Sequence, residues 1–148
     1  MSLLSRKGIF AIAAVVDVAL YARGRPVSAK ALAARHHLPP RHLEPVLQAL
    51  VREGILKGIR GPRGGYELAR ERRRISAEEV VRAAEQAEDE TAQMPASPLV
   101  AAVVAPAVAE AERAFSAALA RISIEDLARR AEADGAVQNT ETSVDYII

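Results

Sequence analysis

The residues best placed to do chemistry lie in one glycine-rich stretch, GILKGIRGPRGGYELA (residues 54–69). It carries three basic residues, five glycines and one proline between two short apolar runs. A phosphate-binding loop, a purely structural hairpin and a hairpin that contacts nucleic acid could all have this composition. No Lys-Ser or Lys-Thr pair follows and no helix is predicted to begin there, so a nucleotide-binding loop is the weakest of the three.

The choice between the other two concerns the arginines at the tip of this stretch. Gly61, Pro62, Gly64 and Gly65 would shape a narrow turn that can approach a DNA backbone or enter a minor groove. Arg60 and Arg63 would then supply positive charge to the phosphates. In the structural alternative, the two arginines only keep the hairpin soluble.

Histidines are the candidate metal ligands, because the sequence contains no cysteine. His36 and His37 are adjacent and would point in different directions on a helix, and no acidic partner has ligand spacing to them or to His42. We therefore expect no metal site. The missing thiols also exclude disulfides and a cysteine-ligated iron–sulfur cluster. No nucleophile–base pair or paired carboxylates indicate an enzyme.

Charge is divided unequally along the chain. Residues 1–75 hold 15 Lys and Arg against 5 Asp and Glu, whereas residues 76–148 hold 5 against 14. The first part therefore has a net charge of +10 and the second of −9. This division indicates that only the first part meets a polyanion such as DNA. The alternative is a solvated surface with an accidental asymmetry.

The elements that would position these residues follow from the apolar pattern. Residues 4–23 predict a buried helix; a signal peptide is the alternative, but Asp17 interrupts the apolar run, which is also too short to span a bilayer. Ser28 is a suitable cap for a short second helix, and Pro40 can begin a third. With the hairpin, this order predicts a mainly α fold with a small β-hairpin wing, a winged helix-turn-helix over residues 1–75.

A helical linker and dimerisation region is predicted over residues 76–134. Ser76 and Glu79 form a capping-box pattern, and a helix of about six turns follows a polar loop. Pro106 should kink this long helix or mark its start. Small apolar residues recur along it every three or four positions, which is typical of a seam that packs against a helix of a second copy. The seam residues are Val100, Val104, Ala107, Ala111, Ala114 and Ala118. Residues 135–148 predict a mobile tail.

The segment HLEPVLQALVREGILKGIRGPRGGYELARERRRISAEEVVRAAE (residues 42–85) closely resembles the core signature of the Rrf2 family of bacterial transcriptional regulators. ISIEDLA, after the long helix, is similar to the C-terminal pattern of that family. The resemblance covers residues 1–130. It implies a cytoplasmic homodimer of winged helix-turn-helix subunits, joined by the long helix, that binds an imperfect palindrome and usually represses transcription.

The chain departs from the resemblance in one segment. Iron–sulfur members of the family carry three cysteines between the fourth helix and the dimerisation helix, whereas this chain has QAEDETAQMPASPLV (residues 86–100) there. A cluster held in the usual way is therefore excluded, so we expect no cofactor. The resemblance does not identify an effector.

The third helix supplies the predicted base contacts. Arg41 could contact guanine or a phosphate, and Glu44 could accept a hydrogen bond from cytosine or compensate the helix dipole. His42 is expected to pack or to contact a phosphate. The predicted phosphate contacts of the first two helices are Arg6, Lys7, Ser28 and Lys30.

Together these features predict a homodimeric repressor that binds double-stranded DNA, has no membrane segment and is not an enzyme. The alternative is an adaptor that uses the same scaffold to bind another protein, such as a metabolic enzyme. Both functions rely on the same fold and differ in which half of the chain makes the essential contacts.

Overall fold

A computed structural model of the 148-residue chain describes residues 4–86 and 97–135. The predicted tail after residue 135 and most of the cysteine-free segment lie outside the described residues. The helices are α1 (Arg6–Tyr21), α2 (Ala29–Arg35), α3 (Pro40–Arg52), α4 (Ala77–Gln86), α5 (Ala105–Ala120) and α6 (Ile124–Ala133), and the strands are β1 (Leu56–Ile59) and β2 (Gly65–Leu68). The mainly α fold with a two-stranded hairpin is confirmed.

Side-chain caps and prolines set the helix ends where the sequence predicts them. The Ser28 hydroxyl accepts a hydrogen bond from the Ala31 amide at 3.1 Å and so begins α2. Pro40 is the first residue of α3. The Glu79 amide donates to the Ser76 hydroxyl at 3.2 Å, and the Glu79 carboxylate accepts from the Ser76 amide at 3.0 Å. These caps satisfy amides that the first turn of a helix leaves without partners.

One hydrophobic core joins both halves of the chain. Val15 of α1 and Leu47 of α3 are fully buried together with Val80 of α4 and Ile124 of α6. The Ile124 amide also donates to the Ile75 carbonyl at 2.8 Å, which fastens the start of α6 beside the start of α4. The core therefore continues past residue 75, where the sequence predicts the DNA-binding domain to end.

The hairpin is attached to the segment that precedes α2. β1 and β2 pair antiparallel, with Leu56 opposite Leu68. Val27 then pairs with Tyr66 of β2 through two backbone hydrogen bonds of 2.9 and 2.8 Å. A Cβ atom at Gly65 would lie 2.4 Å from the Val27 carbonyl oxygen, so glycine is required for this close approach.

Helix α5 lies on the outside of the described structure, and none of its residues is buried. It continues from a π-helical segment, Val100–Val104, in which the Ala105 amide donates to the Val100 carbonyl. This wider turn directly precedes Pro106, which has no amide hydrogen and clashes with a regular preceding turn. None of the described helices combines the length and the apolar character that crossing a membrane requires.

Candidate nucleic-acid interface

One face of α3 packs in the core and the other is open to solvent. Leu43 and Leu47 are buried on the inner face, while Arg41 and Glu44 are exposed. Helical spacing places both exposed side chains near the N-terminal end of α3, away from the core. In helix-turn-helix proteins, this end of the recognition helix contacts base edges.

Two further residues share the exposed face of α3 and were missed by the sequence reasoning. Gln48 and Arg52 are exposed and follow Arg41 at seven and eleven positions, which returns them to the same side of the helix. Gln48 carries the amide group that can pair with adenine. The helical period alone could have identified both residues.

A tight turn forms the tip of the wing. The Gly64 amide donates to the Gly61 carbonyl at 2.9 Å, and Gly61 has a φ of 115°, a conformation that favours glycine. A Cβ atom at Gly64 would lie 2.1 Å from the Ile59 carbonyl oxygen. The two glycines thus allow the chain to reverse sharply, and Arg60 and Arg63 project from the turn as exposed side chains.

The wing tip and the start of α2 face each other across one concave surface. Its volume is about 830 Å³, and it is lined by Ser28, Arg63 and Gly64, which were predicted separately, and by Arg25. Ser28 uses an oxygen lone pair for its cap, so its hydroxyl hydrogen remains a possible donor to a phosphate. Arg25 is exposed and was missed, because it lies in a linker without a recognisable motif.

Glu44 connects the recognition helix electrostatically to the wing. Burial raises the pKa of Tyr66 in β2, and the nearby charge of Glu44 raises it further. The first turn of α3 contains no acidic residue, since Glu44 is the fifth residue of the helix. Glu44 thus lies just beyond the first turn, where the helix dipole acts most strongly, and both base contact and dipole compensation stay predictions for it.

The basic residues of the described chain fall into paired and unpaired groups. Arg35 pairs with Asp17, Lys57 with Glu67, and Arg70 with Glu79. By contrast, six basic residues on α2, α3, the wing tip and the linker before α2 form no ion pair with any described residue. These unpaired residues are Arg25, Lys30, Arg41, Arg52, Arg60 and Arg63. Their charge is available to an external anion.

The other predicted contact residues occupy different surroundings. Arg6 is exposed as the first residue of α1, whereas Lys7 beside it is half-buried. Lys30 is exposed as the second residue of α2, and His42 is exposed on α3. Their contacts with DNA remain predictions, as do those of the α3 and wing residues.

Among the described residues, no three potential metal ligands come together. His36 instead lies with its Nε2 atom 3.0 Å from the Asp17 carboxylate. Arg35 binds the same carboxylate through two hydrogen bonds of 2.7 Å. The hydrogen bond with Asp17 raises the pKa of Arg35 despite the opposing effect of burial.

The recognition helix and wing define the class: this is a winged helix-turn-helix protein. The Rrf2 family model, described as an iron-dependent transcriptional regulator, matches residues 4–130. The chain therefore belongs to the Rrf2 family, which is a family of regulators and not of enzymes.

Individual relatives agree with this assignment. The chain is 35% identical over 88 residues to the HTH-type transcriptional regulator IscR of Xenorhabdus nematophila, a match that covers 60% of this chain and 54% of IscR. The match thus spans about half the length of that curated relative. The structure resembles IscR of T. potens with a TM-score of 0.71 and 26% identity, covering 95% of this chain and 96% of the other. CymR of B. subtilis gives a TM-score of 0.65 at 25% identity, covering 88% and 98%.

The family description names iron. This chain lacks the cysteine thiolates that commonly bind iron in an iron–sulfur cluster. The sequence contains no cysteine, and Asp17 already binds both Arg35 and His36. The residues present therefore do not fit a cysteine-ligated cluster.

Proposed function

We propose that this protein is a sequence-specific DNA-binding transcriptional regulator that acts as a homodimer on an imperfect palindrome. The observation that carries the proposal is the unpaired positive charge on α3, on the wing tip and beside α2. A cation without a protein partner can neutralise a phosphate without first breaking an ion pair. The glycine turn supports this role, because it presents Arg60 and Arg63 beyond the rest of the hairpin.

The proposed dimer joins two copies through α5. Ala107, Ala111, Ala114 and Ala118 are exposed along one side of the helix, and small side chains let two helices approach closely. Larger apolar residues near the N-terminal end of the helix are also uncovered: Leu99 is 64% exposed and Val103 is 59% exposed. Exposed apolar surface of this kind is typical of a protein interface.

Repression is the proposed outcome, in the cytoplasm, with no iron–sulfur cluster. A dimer that occupies a promoter site excludes other proteins from the same DNA. The missing thiols support the cluster-free part of the proposal, since the family's usual ligands are lacking. Any signal that controls DNA binding would have to act without a cysteine-ligated cluster.

DNA selection from a random library, with purified protein at near-physiological salt, tests the proposal. We expect enrichment of a two-fold-symmetric site whose half-sites lie about one helical turn apart. Sedimentation with the selected duplex should give two protein chains per site. Uniform, salt-sensitive binding to all sequences would contradict sequence-specific regulation.

A second candidate is an adaptor whose main partner is another protein. Leu99 and Val103, exposed just before α5 in the acidic half, would favour this alternative if a different protein and not a second copy covers them. An adaptor would keep its cellular function after replacement of Arg60 and Arg63 but lose it after changes in the acidic half. A DNA-binding regulator would show the opposite dependence on the wing.

A further inference from the structure

Asp17 is the only buried charged side chain in the described part of the chain, and it is 4% exposed. It lies near the C-terminal end of α1 and faces the end of α2. Arg35 donates two hydrogen bonds to its two oxygens, each of 2.7 Å, and the His36 ring nitrogen lies 3.0 Å from one of them. The Arg35 guanidinium also lies 4.1 Å from the centre of the Tyr21 ring. This polar cluster therefore ties α1 to the last residues of α2.

The end of α2 has little other support on this side. The helix has seven residues, of which only Leu32 and Ala33 are buried. Residues 34–37 line a cavity of about 790 Å³ between α1, α2 and α6, so no apolar core packs against them there. A helix this short is not stable alone and depends on tertiary contacts. The Asp17 cluster supplies such a contact where packing does not.

The cluster lies immediately before the turn that leads to the recognition helix. His37 has a φ of 53°, which is uncommon for a residue other than glycine. Leu38 then donates its amide hydrogen to the Ala33 carbonyl at 3.0 Å, and α3 begins at Pro40. Few residues separate the Arg35 and His36 contacts from Arg41. A displacement of the end of α2 would therefore pass directly to the start of α3.

We propose that Asp17 is a positioning residue for DNA recognition: through Arg35 and His36 it fixes the turn between α2 and α3 and thereby the base-reading end of α3. The inference rests on the proposed DNA-binding function. Base contacts require closely held side chains, whereas contacts of mobile cations with phosphates tolerate small displacements. Asp17 should therefore govern the ratio of specific to non-specific binding.

Asp17→Asn provides the first test, because it keeps the size and one acceptor but removes the charge. Affinity is measured for the selected site and for an unrelated duplex of equal length, at the same salt concentration. We expect specific affinity to fall about tenfold and non-specific affinity to change less than about twofold. Circular dichroism sets a temperature at which each variant is fully folded.

The double variant Asp17→Leu/Arg35→Met separates positioning from stability. Apolar residues can replace a buried ion pair without loss of stability. We expect the unfolding midpoint to return towards that of the unchanged protein while the affinity ratio stays low. Glu125→Gln is the matched control, because Glu125 pairs with Arg72 and Arg129 away from α2. It should lower stability without changing the ratio.

Three results would overturn the inference: an unchanged ratio in Asp17→Asn, a ratio that recovers together with stability in the double variant, or an equal fall in Glu125→Gln. If the double variant does not regain stability, the ratio of specific to non-specific affinity in folded Asp17→Asn decides whether Asp17 is a positioning residue. If the wild-type protein prefers no DNA sequence, the proposed function is overturned, and this inference with it. A protein that selects a site while Asp17→Asn keeps its ratio would overturn this inference alone.

Discussion

The chain has two arginine-rich segments a few residues apart, and they differ in their partners. At the wing tip, residues 60–63, both arginines are exposed and form no ion pair with a described residue. In the run at residues 70–74, four arginines meet the carboxylates of Glu71, Glu79 and Glu125. The longer run is thus largely neutralised where it stands, whereas the shorter segment keeps its charge for an external partner.

This difference shows that the number of cations in a segment does not give the charge that the segment leaves unpaired. Exposed ion pairs such as Arg73–Glu71 contribute little to stability. They nevertheless oppose DNA binding, because the carboxylate repels phosphates and competes for the guanidinium. We therefore expect the net +10 of residues 1–75 to overstate the charge available for the proposed DNA contact.

The largest change in DNA affinity is expected from Ala111→Glu, which would place a charge in the α5 seam. A monomer carries one wing and one recognition helix, so affinity for a two-half-site operator should fall about a hundredfold. Analytical ultracentrifugation and a titration of the selected duplex would measure both changes. The control is Ala117→Glu, which adds the same charge at an exposed position outside the seam. An Ala111→Glu protein that still sediments as a dimer would contradict the predicted interface.

The second prediction compares the two segments directly by removing equal charge from each. Arg60→Ala/Arg63→Ala should weaken binding to all sequences about tenfold or more and reduce the slope of log affinity against log salt by about 0.9 for each lost phosphate contact. Arg73→Ala/Arg74→Ala should change both quantities much less. Affinities at several salt concentrations measure the slopes. Equal slopes for the two double variants would refute the distinction between paired and unpaired arginines.

Glu44→Ala tests base reading beside the wing and should have a smaller effect on total affinity. Loss of the carboxylate removes an acceptor for cytosine, so base preference at one position of each half-site should relax. Repeated library selection with the variant would detect this relaxation. Unchanged base preference would contradict base reading by Glu44.

The smallest effect is expected from Glu71→Gln, which removes the carboxylate that pairs with Arg73 and Arg74. Release of these arginines should strengthen non-specific DNA binding by about twofold at low salt. Fluorescence anisotropy with an unrelated duplex would measure it, and the gain should vanish at high salt because charge interactions are screened. A loss of affinity would contradict the claim that Glu71 competes with DNA for these two arginines.

Local signals explain how much of the fold could be predicted from the sequence. Ser28, Pro40 and the glycines of the wing determine nearby backbone geometry, so their pattern located α2, α3 and the hairpin. The pairing of Val27 with Tyr66 and the contact of Asp17 with Arg35 join distant parts of the chain and leave no periodic trace. The π-helical segment before Pro106 was also missed, since the sequence indicates only that a regular helix is disturbed there.

The candidate site divides in the same way. Arg41 and Glu44 could be identified from their place on a predicted recognition helix, and Gln48 should have been found from the same period. Arg25 could not, because its role depends on the concave surface that the folded wing forms with the start of α2. Whether an arginine is paired likewise depends on tertiary structure, as the Arg72–Glu125 contact illustrates.

The hydrogen bonds between Val27 and Tyr66 have a consequence for the DNA itself. They attach β2 to the segment leading into α2, so we expect the wing to move together with α2 and not independently of it. A protein whose wing is held in one position fits DNA of one groove width better than DNA of another. If α3 reads bases as we propose, operator sequences that flank those bases should affect affinity through their shape, even where no side chain touches them.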